Sequence, residues 1–196
     1  MTTQWQKKLD KKGIQVYTAK HPTSPYDRYK AIMEVEGALS HYVALLQDVE
    51  NYKNWMHTTV TSKLIKQSSV VDNIAYISTR AFPAKDRDYY AKITLHQNDD
   101  HSVVSSWNCC NDYPINTSCI RLRDFSSTVK LLPNNQKNRI VFIFEGHADP
   151  GGIVPHTIVN RFLIDIPFNT LLRARKMVGD GKYSDPVSYI EDYATT

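Results

Sequence analysis

Alternation governs the middle of the chain. Apolar and polar residues exchange places at every second position in successive runs: Val60–Gln67, Asn73–Phe82, Tyr89–His96, Ser102–Cys109, Ser118–Phe125, Thr128–Leu132 and Arg139–Ala148. A period of two sends neighbouring side chains to opposite faces, so each run predicts a strand with one buried face. The separators Val71-Asp-Asn73, Asn98-Asp-Asp100, Asn111-Asp-Tyr-Pro114 and Pro133-Asn-Asn135 favour turns. Connections this short join antiparallel neighbours. Tyr29–Glu36 alternates as well and predicts an earlier strand.

The ends keep other periods. Leu39, Tyr42, Val43, Leu46 and Val49 recur at helical spacing, so 38–49 predicts a helix, followed by the aromatic stretch Tyr52-Lys-Asn-Trp55. Trp5 and Leu9, four apart, predict a short helix over 1–12. Gly13 to Lys20 then reads as extended, and His21-Pro-Thr-Ser-Pro25 as a turn. After Asp149-Pro-Gly-Gly152, residues Val159, Leu163, Ile166, Thr170, Ala174 and Val178 step by three or four. With Ile158, Phe162, Leu171 and Leu172 widening the stripe, they predict a long amphipathic helix over 154–178. Pro167 removes a hydrogen bond inside it, and a kink is expected there. A tail helix is expected around Val187–Tyr193. The fold class is therefore α+β: a curved antiparallel sheet closed by one long C-terminal helix, a single domain over 1–196.

Composition narrows the function. The chain has 196 residues, with 41% apolar and 22% charged, ordinary values for a globular protein. Twelve Tyr, six Phe and three Trp give it aromatic bulk that disordered chains lack. Ile140-Val-Phe-Ile-Phe144, the longest unbroken apolar run, is far shorter than the ~20 residues of a membrane helix. The first twelve residues have no apolar core of a signal peptide. Cys109, Cys110 and Cys119 are odd in number and form no Cys-x-x-Cys, which points to a reducing compartment, the cytoplasm. The Cys109–Cys110 pair is too small a ligand set for a metal site, and no cofactor is expected.

The 24 basic and 20 acidic residues leave a net charge of +4 and are interspersed, unlike the basic stripe of a nucleic-acid binder. One local excess stands out. Arg161, Arg173, Arg175, Lys176 and Lys182 outnumber Asp165 and Asp180, forming either a solvated helix face or a contact with an anionic membrane surface. Catalytic constellations are missing: no nucleophile elbow, no phosphate-cradling glycine loop, no His-Glu-x-x-His and no dinucleotide fingerprint. The seven histidines are scattered.

One side chain breaks the pattern. Within 87–95, Arg87, Tyr89, Ala91, Ile93 and Leu95 share a face that must point inward, opposite Asp88, Tyr90, Lys92, Thr94 and His96. An inward guanidinium is costly unless paired. Either carbonyls or a carboxylate at the sheet's end satisfy Arg87, or it stands at the end of a ligand cavity and anchors a polar head or a water.

Four segments in order resemble the START domain, the steroidogenic-acute-regulatory-related lipid-transfer family of the helix-grip superfamily. They are Asp48-Val-Glu-Asn-Tyr-Lys-Asn-Trp55, Phe82-Pro-Ala-Lys-Asp-Arg-Asp-Tyr89, Cys119-Ile-Arg-Leu122 with Leu131-Leu-Pro133, and Asp149-Pro-Gly-Gly-Ile-Val-Pro155 with Asp165-Ile-Pro167 and Leu171-Leu-Arg173. The resemblance covers about 28–178. It implies a helix-grip fold with an internal hydrophobic cavity, and binding, and beyond that transfer, of one lipid or other hydrophobic molecule without chemistry. In its terms Arg87 matches an arginine that lies in the tunnel of sterol-carrying members, where a carboxylate on the preceding strand partners it. Here 73–82 has no acid and Arg80 adds a second cation, which speaks against a sterol and for an acidic or phosphate-bearing ligand. Ser126-Ser-Thr-Val129 also lacks the Gly-Trp common in the family.

The expected cavity is a few hundred Å³ in volume. It is lined by Tyr89, Ile93, Trp107, Val159 and Leu163, with Arg87 as its polar feature and Tyr76, Arg121 and Phe162 completing the candidate contacts. Two other readings stay open: an enzyme such as a polyketide cyclase or aromatase of the same superfamily, and a protein-interaction module with a filled core.

Overall fold

The computed structural model describes residues 3–134, 138–152, 154 and 156–192, with the backbone alone at 156–158 and 160. Among them, ten strands form one sheet: β1 (Gln6–Lys11), β2 (Ile14–Ala19), β3 (Arg28–Glu36), β4 (Thr59–Ser69), β5 (Asp72–Thr79), β6 (Arg87–Gln97), β7 (Val103–Cys110), β8 (Ile120–Arg121), β9 (Phe125–Pro133) and β10 (Arg139–Ala148). Their order is β1-β2-β3-β10-β9-β7-β6-β5-β4, antiparallel throughout this path. The helices are α1 (Leu39–Gln47), α2 (Tyr52–Trp55), joined by a 3₁₀ turn at Val49–Asn51, and α3 (His156–Gly179).

The alternation read from the sequence becomes the division into faces. Tyr29, Ala31, Met33 and Val35 of β3, Tyr89, Ala91, Ile93 and Leu95 of β6, and Ile140, Phe142 and Phe144 of β10 are buried toward the helices. Tyr42, Leu45, Leu46, Tyr52 and Trp55 fill the same core from the α1–α2 side, and Leu171, Ala174 and Val178 close it from α3. The sheet thus grips α3 on its apolar stripe. α3 continues through Pro167, whose missing N–H leaves the carbonyl of Leu163 without its helical donor.

Three expectations are corrected. The helix over 1–12 is instead a strand, β1, joined to β2 by a two-residue hairpin in which Lys12 and Gly13 take φ of 54° and 72°. Two left-handed residues are what a tight antiparallel hairpin requires. The misleading signal was the spacing of Trp5 and Leu9: four is one helical turn, but it is also two strand repeats. Second, the strand over 118–125 shrinks to the two residues of β8, which run parallel to Arg87–Asp88. β7 ends at Cys110 opposite Tyr90, and β8 pairs with the two β6 residues beyond that point. Third, residues 187–192 of the tail are turn and coil where a helix was expected, and Tyr193 lies outside the described residues. The tail is fastened all the same. Asp192 accepts hydrogen bonds from the Ser40 N–H at 2.8 Å and the Ser40 hydroxyl at 2.6 Å, placing a carboxylate at the positive end of α1.

Candidate functional site

A cavity of about 120 Å³ lies between the first half of α3 and the end of the sheet. Val159, Phe162, Leu163 and Ile166 form its helical wall. Tyr29 of β3, Thr79 of β5, Arg87 of β6 and Ala148 of β10 supply the strand ends. Thr58, Arg80, Ala81, Leu122, Pro150 and Val154 complete it from the loops. The amphipathic stripe of α3 explains the aliphatic wall. The inward parity of Tyr29 and Arg87 explains two of the strand contributions.

Tyr29 reaches the cavity because residue 146 has no side chain. A Cβ at Gly146 would sit 2.7 Å from the Tyr29 hydroxyl and 2.8 Å from the Ser126 carbonyl. Burial pushes the Tyr29 hydroxyl well above its ordinary value, so it remains a neutral phenol. Next to it the chain turns through Pro150, Gly151 and Gly152, where the glycines take φ of 60° and 62° before α3 begins. Glycine alone adopts that pair of conformations without strain.

Arg87 is 3% exposed and clamps this turn. Its Nε donates to the Pro150 carbonyl at 2.9 Å, Nη2 to the Gly151 carbonyl at 3.1 Å, and Nη1 to the Lys85 carbonyl. Carbonyls satisfy it, the first of the two alternatives left open by the sequence, and it also lines the cavity. Burial pulls its pKa below the ordinary value, an effect opposed by Asp86.

The other candidates fall into three groups. Val159, Phe162 and Leu163 are brought to the cavity beside Arg87. Tyr89, Ile93 and Trp107 are inward and buried but belong to the packed core: Tyr89 lies 4.6 Å from the Phe125 ring, and Trp107 stacks on Tyr52 at 5.0 Å. Tyr76 and Arg121 sit on the opposite, convex face. There Tyr76 lies 5.0 Å from the Tyr90 ring and accepts a hydrogen bond from Asn116 Nδ2 at 3.0 Å. Arg121 makes a two-pronged pair with the fully buried Asp88, at 3.0 and 2.9 Å, and stands over the Tyr90 ring at 5.0 Å. Its remaining donors reach the Tyr113 and Pro114 carbonyls at 3.3 and 2.6 Å. That hydrogen-bonded pairing pushes the Arg121 pKa up.

Sequence reasoning missed Tyr29, Thr58, Thr79, Ala81, Leu122, Ala148, Pro150, Val154 and Ile166 as lining residues, and read Arg80 only as a second cation. Ile166 carried a signal, since it lies on the α3 stripe. The loop residues carried none. Phe82 was expected at the end of a strand, but β5 stops at Thr79 and Phe82 stands 81% exposed in the following turn, two residues from Arg80.

The START domain family profile matches residues 2–180. The chain belongs to the START domain family. It is 27% identical over 169 residues to an uncharacterized protein of Pseudomonas aeruginosa, covering 85% of this chain and 83% of the relative. Among solved structures, a STAR-related lipid transfer protein from Xanthomonas axonopodis superposes with a TM-score of 0.82 at 23% identity, covering 89% of this chain and 98% of that one. Human StAR-related lipid transfer protein 5 gives 0.79 at 16% identity, over 90% and 87% of the two chains. At these identities the structures establish the START fold: the antiparallel sheet and the C-terminal helix it grips. Among the described residues no helix of this START domain is long and apolar enough to cross a membrane.

Proposed function

We propose that this START domain binds one lipid or similar hydrophobic molecule under the first half of α3 and carries it without chemical change. The carrying observation is the aliphatic wall of Val159, Phe162, Leu163 and Ile166 set against a sheet end. Membership of the family supports the reading, as do the lipid transfer proteins that share the fold. Among the described lining residues there is no histidine, cysteine or carboxylate to serve as acid, base or nucleophile, which favours a carrier over a cyclase.

The cavity is smaller than the roughly 300–1,000 Å³ of small-molecule sites, so a lipid needs it to widen. The first half of α3 is the wall built to move. Gly151 and Gly152 precede it, and Pro167 withholds a hydrogen bond at its far end. Membrane contact would help such a motion. Of the basic residues on α3, Arg161 is taken up by Asp165 at 2.8 Å and Arg175 by the Lys12 carbonyl at 2.9 Å. Arg173 and Lys176 stay exposed, each worth about 1 kcal/mol beside an anionic leaflet. The exposed Phe82 and Arg80, close to the cavity, suit the same surface.

Mass spectrometry of organic extracts from gently purified protein tests the reading. A stoichiometric, unaltered hydrophobic molecule is expected. A molecule altered on incubation would mark an enzyme, and consistently empty protein with no lipid uptake would mark a filled interaction module.

A further inference from the structure

Resting on that reading, the geometry points to a narrower class of ligand: an amphiphile with an anionic head group, selected by Arg80. The polar part of the cavity is a continuous strip across strand ends. Arg87 of β6 pairs in register with Thr79 of β5, Arg80 follows Thr79, and the Arg80 N–H donates to the Thr58 carbonyl at 2.8 Å. Two arginines and two threonines therefore line one edge of a space whose opposite wall is aliphatic. An amphiphile has that same division.

The sign of the strip is unbalanced. Four other arginines meet acids: Arg28 pairs with Glu145, Arg121 with Asp88, Arg139 with Glu34 and Glu36, and Arg161 with Asp165. Among the described residues neither Arg80 nor Arg87 has a carboxylate within salt-bridge distance, and none of the lining residues is acidic. Asp86 is close in sequence, yet its Oδ1 accepts the Ala81 N–H at 3.3 Å and it lies outside the lining. The three carbonyls around Arg87 occupy three of its five N–H donors but cancel none of its charge. Arg80 is exposed and makes no side-chain bond to a described residue, so its whole fork is available to an oxyanion. Guanidinium forks hold carboxylate and phosphate oxygens by paired, charge-assisted bonds, and both heads share that chemistry. A neutral alcohol or ester head would leave Arg80 and Arg87 without a carboxylate or phosphate partner within salt-bridge distance.

The test is calorimetric titration of the full chain with lauric acid, lauryl phosphate and lauryl alcohol, each below its aggregation concentration. The three share a tail and differ in the head. At least one anion should bind about tenfold or more tighter than the alcohol, the size expected for a charge-assisted bond. Whichever anion leads tells a carboxylate source from a phosphate one. Arg80→Gln should remove most of that preference, with the melting temperature unchanged. Equal binding of all three, or a preference that survives Arg80→Gln, overturns the inference and leaves the carrier reading standing. If none of the three binds, the cavity reading falls and the inference with it.

Discussion

Arg87 and Arg121 lie at the same end of β6 on opposite faces of the sheet, and they are held in different ways. Arg121, on the convex face, meets the buried Asp88 in a two-pronged pair, with loop carbonyls taking further donors. Arg87, on the concave face, meets carbonyls alone. Both are almost fully enclosed, with 3% of Arg87 and 6% of the Arg121 side chain exposed. The difference lies in the net charge each leaves behind. A carboxylate cancels a guanidinium and makes a neutral clasp, which ties the loop before β8 to the sheet. Dipoles satisfy the donors but supply no counter-charge, so Arg87 is held without a paired carboxylate.

The largest effect should come from breaking the clasp. Arg121→Leu strands the Asp88 carboxylate inside the protein, and loss of one partner of a buried pair costs about 3–5 kcal/mol. Urea denaturation should show it as a lower midpoint. A loss below about 1 kcal/mol would mean that Asp88 finds water or another donor, and the contrast between the faces would collapse.

Arg87→Leu should cost less, about 1–3 kcal/mol, because it strands neutral carbonyls rather than a charge. The domain should remain folded while lipid binding weakens. If its midpoint falls as far as that of Arg121→Leu with binding retained in the folded fraction, Arg87 is a structural clasp like Arg121.

Acid probes the two faces more gently. His147 is 2% exposed on the convex side, stacked on His21 at 4.1 Å, and His57 lies near the concave site with its Nδ1 unbonded. Burial lowers both pKa values below 6.5, helped by His21 in one case and by Arg173 in the other. The unfolded chain therefore takes up protons first. Stability should be full above about pH 6.5 and fall as pH drops toward the folded-state values. Asp124 and Asp149 near His147, and Asp165 near His57, moderate the loss. His147→Gln should flatten the acid limb of a plot of melting temperature against pH; an unchanged limb would assign it to carboxylates instead.

The smallest change in stability is expected from Arg80→Gln, within about 0.5 kcal/mol, since its side chain touches solvent. A larger loss would show that Arg80 has a structural bond after all, and would blur the line between the two faces.

Much of this architecture can be read one residue at a time. Alternation along 87–95 put Arg87, Tyr89 and Ile93 on the inner face, and the structure buries all three. The stripe of α3 likewise named Val159, Phe162 and Leu163, which line the cavity. Where a spacing fits two periods, as with Trp5 and Leu9, the chain alone cannot choose. The choice fell to strand pairing, because a positive-φ turn at Lys12–Gly13 folded β1 back onto β2.

Periodicity, turn residues and motif order thus determined the class of fold, the family and the inward cation, because local sterics and burial of one face act within a few residues. Only the tertiary structure decided which inward residues meet empty space. Tyr89, Ile93 and Trp107 share a face with Arg87, yet aromatic packing against Phe125 and Tyr52 fills the middle of the sheet, and the cavity is left at its end. Tyr76 and Arg121 went to the far side because β5 pairs Tyr76 with the outward Tyr90 and β8 lays Arg121 alongside Asp88. Two of the three partners of Arg87 come from Pro150 and Gly151, 63 and 64 residues away. No local pattern encodes contacts of that range, since they exist only once the sheet has brought its distant ends together.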